Sequence, residues 1–353
     1  MARWLTRDDL GAAAGSATGL LLVSPDVSSV LPLGPGDRAA AAELTGAALR
    51  EAGVGARDRV VVALAEPAGA LWTAAAADVA AAAASVGPRG RMRLHHALSA
   101  LKATTLVATP TGAMDLLARL HLEFLLDPLD LGLGTIVLTG EIASKRTLGH
   151  LAGEFGATVT EVLASPFGGG ALAWRTAEED PLKPLVDGLL GTAALDRDDA
   201  ADPAAGLAEL VVTPHAHSTL GDAVLRTGLV AGTSGSTIPA PAHTVGEHVL
   251  VRGVWLALPR IDGALSKIDG VTGWELAVNR RGTLDTAVLT VTFGRESLVG
   301  NPMWKARIEQ SVRALTPVSI AVEIAPEISE AATPGTVADA RGHHLGRDRT
   351  ALA

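Results

Sequence analysis

Few side chains in this chain stand where they could do chemistry. His215 and His217 lie two apart after an apolar stretch, with Asp222 five residues on. Strand alternation would put both imidazoles on one face, the arrangement of a metal pair or a ligand-contact edge, while a polar strand end would look the same. Glu141 follows an apolar run and Gly140. There it is either a pocket carboxylate or an acid at the start of the next helix, where negative charge is favoured. Arg226 could bind an anion or form an ion pair. Ser165 lacks the Gly-x-Ser-x-Gly surroundings of a nucleophile elbow. Thr233-Ser234-Gly235-Ser236-Thr237 could cradle a phosphate or serve as a hinge loop. His95-His96 lack a third ligand nearby, and His343-His344 read as a solvated tail.

Composition removes many other chemistries. The chain has 353 residues, no Cys and no Tyr, and its Lys residues stand only at 102, 145, 183, 267 and 305. That excludes disulfides, thiolate nucleophiles, Cys-ligated metals and a Tyr acid or base. The net charge of −9 and the lack of Lys/Arg clusters speak against nucleic acid. Apolar runs fall short of the roughly 20 residues of a membrane span, and the N-terminus lacks the pattern of a secretory signal. The expected location is the cytoplasm, with no membrane and no nucleic-acid partner.

The elements that must position these residues alternate. Short apolar runs at 60–64, 105–108, 135–138 and 157–162 read as strands. Stretches at 38–52, 68–84 and 143–155 read as helices, the second because it is mostly Ala. Alternation predicts βαβ units and a mainly parallel sheet flanked by helices. Residues 176–206 read as a surface excursion, 208–213 as a strand, and 232–241 as a linker or tight loop. From about 244 the order becomes strand 248–251, a helix with Pro259 in its first turn, strands 274–279 and 286–293, helix 302–315 and strand 318–324. This β-α-β-β-α-β order is ferredoxin-like. The expected fold is α/β, with a large N-terminal domain at 1–243 and a small α+β domain at 244–353.

The stretch Val251-Arg252-Gly253-Val254-Trp255-Leu256-Ala257-Leu258-Pro259-Arg260-Ile261, with Asn279-Arg280-Arg281-Gly282-Thr283-Leu284-Asp285 after it, resembles the small domain of phenylacetate-CoA ligases. These belong to the adenylate-forming superfamily of acyl- and aryl-CoA synthetases. Gly55–Val60, Leu106–Pro110, Gly140-Glu141, 208–212 and Arg226-Thr227-Gly228 resemble further family motifs in the family's order. The resemblance implies an acyl-AMP made from ATP and a carboxylic acid, then transfer to CoA, with Mg²⁺, a phosphate loop and a lysine managing charge.

The departures from that pattern fall on its polar positions. The phosphate loop falls either on Gly15-Ser16-Ala17-Thr18-Gly19 or on Leu22-Val23-Ser24-Pro25-Asp26, and neither carries Lys. Leu163 stands where the adenine-stacking Tyr is expected and Phe167 where a Mg²⁺-binding Glu is expected. Leu229 stands for the ribose-binding Asp, Thr244 for the hinge Arg, and Gly342-His343 for the Gly-Lys pair. An apolar ring cannot ligate a hard cation.

The preferred expectation is therefore a small-molecule-binding or scaffold protein that has lost ATP-dependent adenylation. It would need no cofactor. Its residual cleft would be built from Gly140, Glu141, Ser165, Pro166, Phe167, Arg226, Thr227, Gly228 and Leu229. An apolar or aromatic small molecule, a partner enzyme and a second copy of the chain are its open partners. The alternative is an unusual aryl- or acyl-CoA ligase using ATP and Mg²⁺. A third reading, nucleotide-free chemistry, would start from His215, His217, Glu141 and Arg226.

Overall fold

The computed structural model describes residues 3–88, 90–202, 206–233, 235 and 237–352. Strands Arg59–Ala63, Thr105–Ala108, Thr135–Thr139 and Thr158–Ala164 form the middle of a seven-stranded sheet. They pair in parallel, with Val61 opposite Leu106, Leu106 opposite Ile136 and Ile136 opposite Val159. These runs are apolar throughout because helices cover both faces of a parallel sheet. One face buries Leu106, Ile136 and Leu138 under the helices Pro110–Arg119 and Thr147–Phe155. The other buries Val60, Val62 and Val107 under Pro35–Glu51 and Ala68–Val79, with Trp72 at the centre.

Several expectations need correction. The helix expected over 68–84 stops at Val79, and Ala82–Ser85 forms an edge strand parallel to Arg59–Ala63. Ala80 turns extended, and backbone pairing overrides the helix preference of the Ala run. Residues 176–206 are more than a surface excursion. Lys183–Pro184 ends the seven-stranded sheet, and Leu190–Ala193 joins a second one. That second sheet is mostly antiparallel, with Leu207–Val212 and Val224–Gly232 at its centre and only Trp4–Leu5 parallel. Val224–Gly232 pairs antiparallel with His243–Thr244, so of the two expectations for 232–241 the loop fits and the interdomain linker does not, with Ser234 and Ser236 outside the described residues.

The C-terminal part holds a four-stranded sheet in the order Ile320–Ile328, Leu284–Phe293, Val271–Arg281, Thr336–Asp339. Helices Leu258–Leu265 and Pro302–Leu315 bury Leu258, Ile261, Leu265, Ile308 and Val312 against it. His248–Val251 lies outside this sheet, in a hairpin with Val254–Ala257. The fourth place belongs instead to Thr336–Asp339, parallel to Val271–Arg281.

Candidate functional site

The ends of the parallel strands open into a cavity of about 790 Å³. This is where open α/β sheets place ligands, beyond the carboxyl ends of their strands. Thr109, Gly140-Glu141 and Ser165-Pro166-Phe167 follow three consecutive strands into its wall. The C-terminal part closes the opposite side with Arg252-Gly253-Val254-Trp255 and Leu284. Contacts hold the two sides together. Thr283 Oγ1 donates to Asp115 Oδ1 at 3.0 Å, and the Arg280 guanidinium donates to Ser144 Oγ.

Glu141 spends its carboxylate on the helix that starts at Pro110. Its two oxygens accept from Thr111 N at 3.0 Å and Thr111 Oγ1 at 2.9 Å, at a positive helix end. Burial still raises its pKa above the usual carboxylate value, against the two bonds from Thr111. Of the two phosphate-loop placements, Ser24-Pro25 reaches the cavity. It starts a tight turn between the strands Leu20–Val23 and Val30–Leu33. Asp26 fills that turn: its Oδ1 accepts from Ser24 Oγ at 2.6 Å, Ser28 Oγ at 2.8 Å and Ser28 N at 3.2 Å. Arg260 of the C-terminal part donates to the Asp26 carbonyl.

Phe167 is only 4% exposed and Leu229 5%, and both line the cavity with Leu163. The guanidinium of Arg7 lies 5.2 Å from the Phe167 ring and 4.7 Å from that of Trp255. Arg7 is itself 5% exposed. Its Nη1 donates to Pro166 O at 2.9 Å and more weakly to Ser29 Oγ at 3.4 Å, while Nη2 makes no hydrogen bond. Burial lowers its pKa to about 10, so it stays charged at neutral pH. A buried donor left without an acceptor costs about 1–3 kcal/mol, and more when charged. The Gly168-Gly169-Gly170 run after Phe167 is a packing feature. A Cβ on Gly169, at φ +75°, would stand 2.6 Å from Ala68 Cβ, and Gly169 O accepts from Trp72 Nε1 at 2.8 Å.

Other candidates lie elsewhere. His215 and His217 occupy a turn, not one strand face: His215 is exposed and His217 buried. His217 Nδ1 accepts from Thr219 N and Leu220 N, and burial lowers its pKa. Asp222 accepts from Ala216 N. Neither histidine lines the cavity. Among the described residues, no three His, Asp or Glu side chains are placed to hold a metal ion.

Arg226, Thr227 and Gly228 also stand away from the cavity. Arg226 donates to Glu209 Oε2 at 2.7 Å, Asp198 Oδ1 at 3.1 Å and two backbone carbonyls. Thr227 donates to Leu210 O, and Gly228 N donates to Glu209 Oε1. Thr233 and Gly235 lie outside the cavity wall, and Ser234 and Ser236 fall outside the described residues. His343-His344 are not a free tail. Thr244 N donates to His343 O, and Thr244 Oγ1 bonds His344 Nδ1 at 3.1 Å. Beyond them Arg347 pairs with Glu247 and Asp262, and Arg349 with Glu209.

Sequence reasoning missed Arg7 as a cavity-side group. Asp26 was already named in the second phosphate-loop placement, whose Ser24 and Pro25 line the cavity. Arg7 carried no signal, because its ring partners lie far along the chain.

No family model and no curated protein sequence matches this chain. Solved structures do. A 2-hydroxyisobutyryl-CoA ligase, in complex with 2-HIB-AMP and CoA in its thioesterification state, superposes with a TM-score of 0.78 at 18% identity. The match covers 96% of this chain and 80% of that one. The same ligase in an open conformation gives 0.56 at 18% identity, covering 91% and 77%. The amide bond synthetase McbA from Marinactinospora thermotolerans gives 0.65 at 15% identity, covering 88% and 65%. The chain thus has the mixed α/β fold of these solved structures. No helix among the described residues is long and apolar enough to cross a membrane.

Proposed function

We propose that this chain keeps the ligase fold but binds a small apolar or aromatic molecule in the cavity, without nucleotide-driven chemistry. The observation that carries this reading is Phe167, buried in the cavity wall beneath Arg7 at the position the family resemblance gives to a Mg²⁺ ligand. Leu163 and Leu229 add to it. The neighbouring acids are already engaged. In the cavity wall Glu141 is held by Thr111, Glu161 by Arg175 at 2.6 Å, Asp115 by Thr283 Oγ1 at 3.0 Å and Glu66 by Ala70 N at 3.0 Å, and behind it Asp26 is held by Ser24 and Ser28. Such a donor set fits a hard cation poorly, since Mg²⁺ demands oxygen ligands in near-ideal octahedral geometry. A cavity with mainly apolar walls and a few polar groups suits a small organic ligand.

A second reading is an acyl- or aryl-CoA ligase. It is favoured by the superposition of 96% of the chain on a ligase holding an acyl adenylate and CoA. Titration calorimetry with ATP–Mg²⁺ separates the two. The binding reading expects no heat; affinity of about micromolar strength, some −8 kcal/mol, would overturn it. Pyrophosphate release across a panel of carboxylic acids would establish the second reading.

A further inference from the structure

We infer that Arg7 is a fixed cationic anchor for the cavity's ligand, taking one anionic oxygen of a carboxylate or phosphate monoester carried on an apolar body. This rests on the small-molecule reading above. Arg7 borders the cavity, is 95% buried by its 5% exposure, and has one terminal nitrogen without an acceptor. Among the described residues, no carboxylate oxygen forms an ion pair with its guanidinium. Asp26 and Asp8 act on it from longer range and partly offset its burial, with Asp26 Oδ1 committed to Ser24 and Ser28. His248 is held neutral, first by burial, with Asp8 Oδ1 3.7 Å from its Nε2.

The guanidinium is also pre-oriented. Phe167 and Trp255 approach it at 5.2 and 4.7 Å, and Pro166 O fixes Nη1. Such a group loses little freedom when it binds, and its planar fork matches an oxyanion. A buried charge beside a cavity whose carboxylates act only from beyond hydrogen-bond reach gains from a partner of opposite sign, because the low local dielectric strengthens their attraction. The resemblance places a divalent cation at Phe167. Arg7 supplies one positive charge beside that point, which suits a single anionic group better than a triphosphate chelate.

The test uses shape-matched probes: phenylacetate, phenyl phosphate and the neutral phenylacetamide, titrated calorimetrically into the wild-type chain and Arg7→Met. In the wild type, one of the two anions should bind about tenfold or more tighter than the amide, a gap of about 1.4 kcal/mol. Which anion wins names the headgroup. In Arg7→Met that preference should vanish while amide affinity stays within about threefold. If Arg7→Met does not fold, Arg7→Lys decides, since it keeps the charge but loses the fork and should weaken the anion alone. Equal affinity for anions and amide, or a preference that survives in the variant, overturns the anchor and leaves the small-molecule reading standing. Binding of ATP–Mg²⁺ that displaces the probes overturns that reading instead. Silence toward all three probes overturns both.

Discussion

Two buried arginines in this molecule live under opposite conditions. Arg226 lies under the Trp4 ring, 5.1 Å away, and is fully engaged: Glu209, Asp198 and two carbonyls take its donors. Glu209, with no exposure at all, is shared with Gly228 N and Arg349. Arg7 has two aromatic rings, one carbonyl and a weak hydroxyl contact, with no carboxylate in contact and a nitrogen unmet. A closed network holds strands together and leaves nothing for a ligand. An open one beside a cavity adds little to folding and leaves a binding group in place.

The largest effect should come from opening the closed network. Glu209→Ala leaves Arg226 and Arg349 without their shared partner and removes the acceptor for Gly228 N. It should cost about 3–5 kcal/mol in urea unfolding, as when one member of a buried ion pair is deleted. A loss under about 1 kcal/mol would show that the network is solvated, and the contrast with Arg7 would fail. Arg226→Met should cost less, because Glu209 retains Arg349 and Gly228.

Phe167→Ala comes next. The ring fills the cavity wall and lies under Arg7, so its deletion removes packing and a cation–π contact together. A loss of about 2–3 kcal/mol is expected, below a fully enclosed Phe because one side already faces open space. A loss as large as 5 kcal/mol would mean that the ring is enclosed core, and the cavity reading would suffer.

The two regions differ in how far they could be read in the sequence. Pro302–Leu315 was readable from end to end, since Asn301 caps it through Met303 N and Pro302 occupies its first turn. The parallel strands were readable for the same local reason, apolar runs between breakers, and so were the strand ends carrying Gly140, Glu141 and Phe167. Ala82–Ser85 was not, because its conformation comes from pairing with Arg59–Ala63. His215 and His217 failed because a turn replaces the alternation a strand would have supplied. Arg226 looked like a cleft residue because its acid sits on the neighbouring strand Leu207–Val212. Arg7 failed for a similar reason: Pro166, Phe167 and Trp255 lie 159, 160 and 248 positions away. Local periodicity records what a segment does alone, while a buried charge is defined by what distant segments bring to it.

Acid should probe the environment of Arg7 from the side. His248 is pushed down to about 3, first by burial and then by the charges of Arg7 and Arg349, against Asp26. As pH falls below about 6.5 the unfolded chain takes up this proton and the folded one does not. The stability is therefore complete above that pH and is lost progressively toward pH 3. Between pH 7 and pH 5 the loss from this group is about 2 kcal/mol. His248→Gln cannot titrate, so its urea-unfolding free energy should fall less steeply with acid than that of the wild type. Parallel slopes would mean that His248 gains a proton while folded, with Asp8 Oδ1 at 3.7 Å from its Nε2 outweighing its burial.

The smallest effect should fall on the residue proposed to matter most for binding. Arg7→Met removes a buried charge that lacks a carboxylate partner and replaces it with a flexible apolar chain of similar reach. It forfeits a cation–π contact worth about 0.5–2 kcal/mol and is relieved of desolvation of similar size. The net change in unfolding free energy should lie within about 1 kcal/mol of zero, where Arg226→Met should clearly destabilise. A pair of unfolding curves settles the ranking. If Arg7→Met destabilises as much as Arg226→Met, then Arg7 is compensated in the folded state by groups of the chain itself, and it no longer stands open for a ligand's anion.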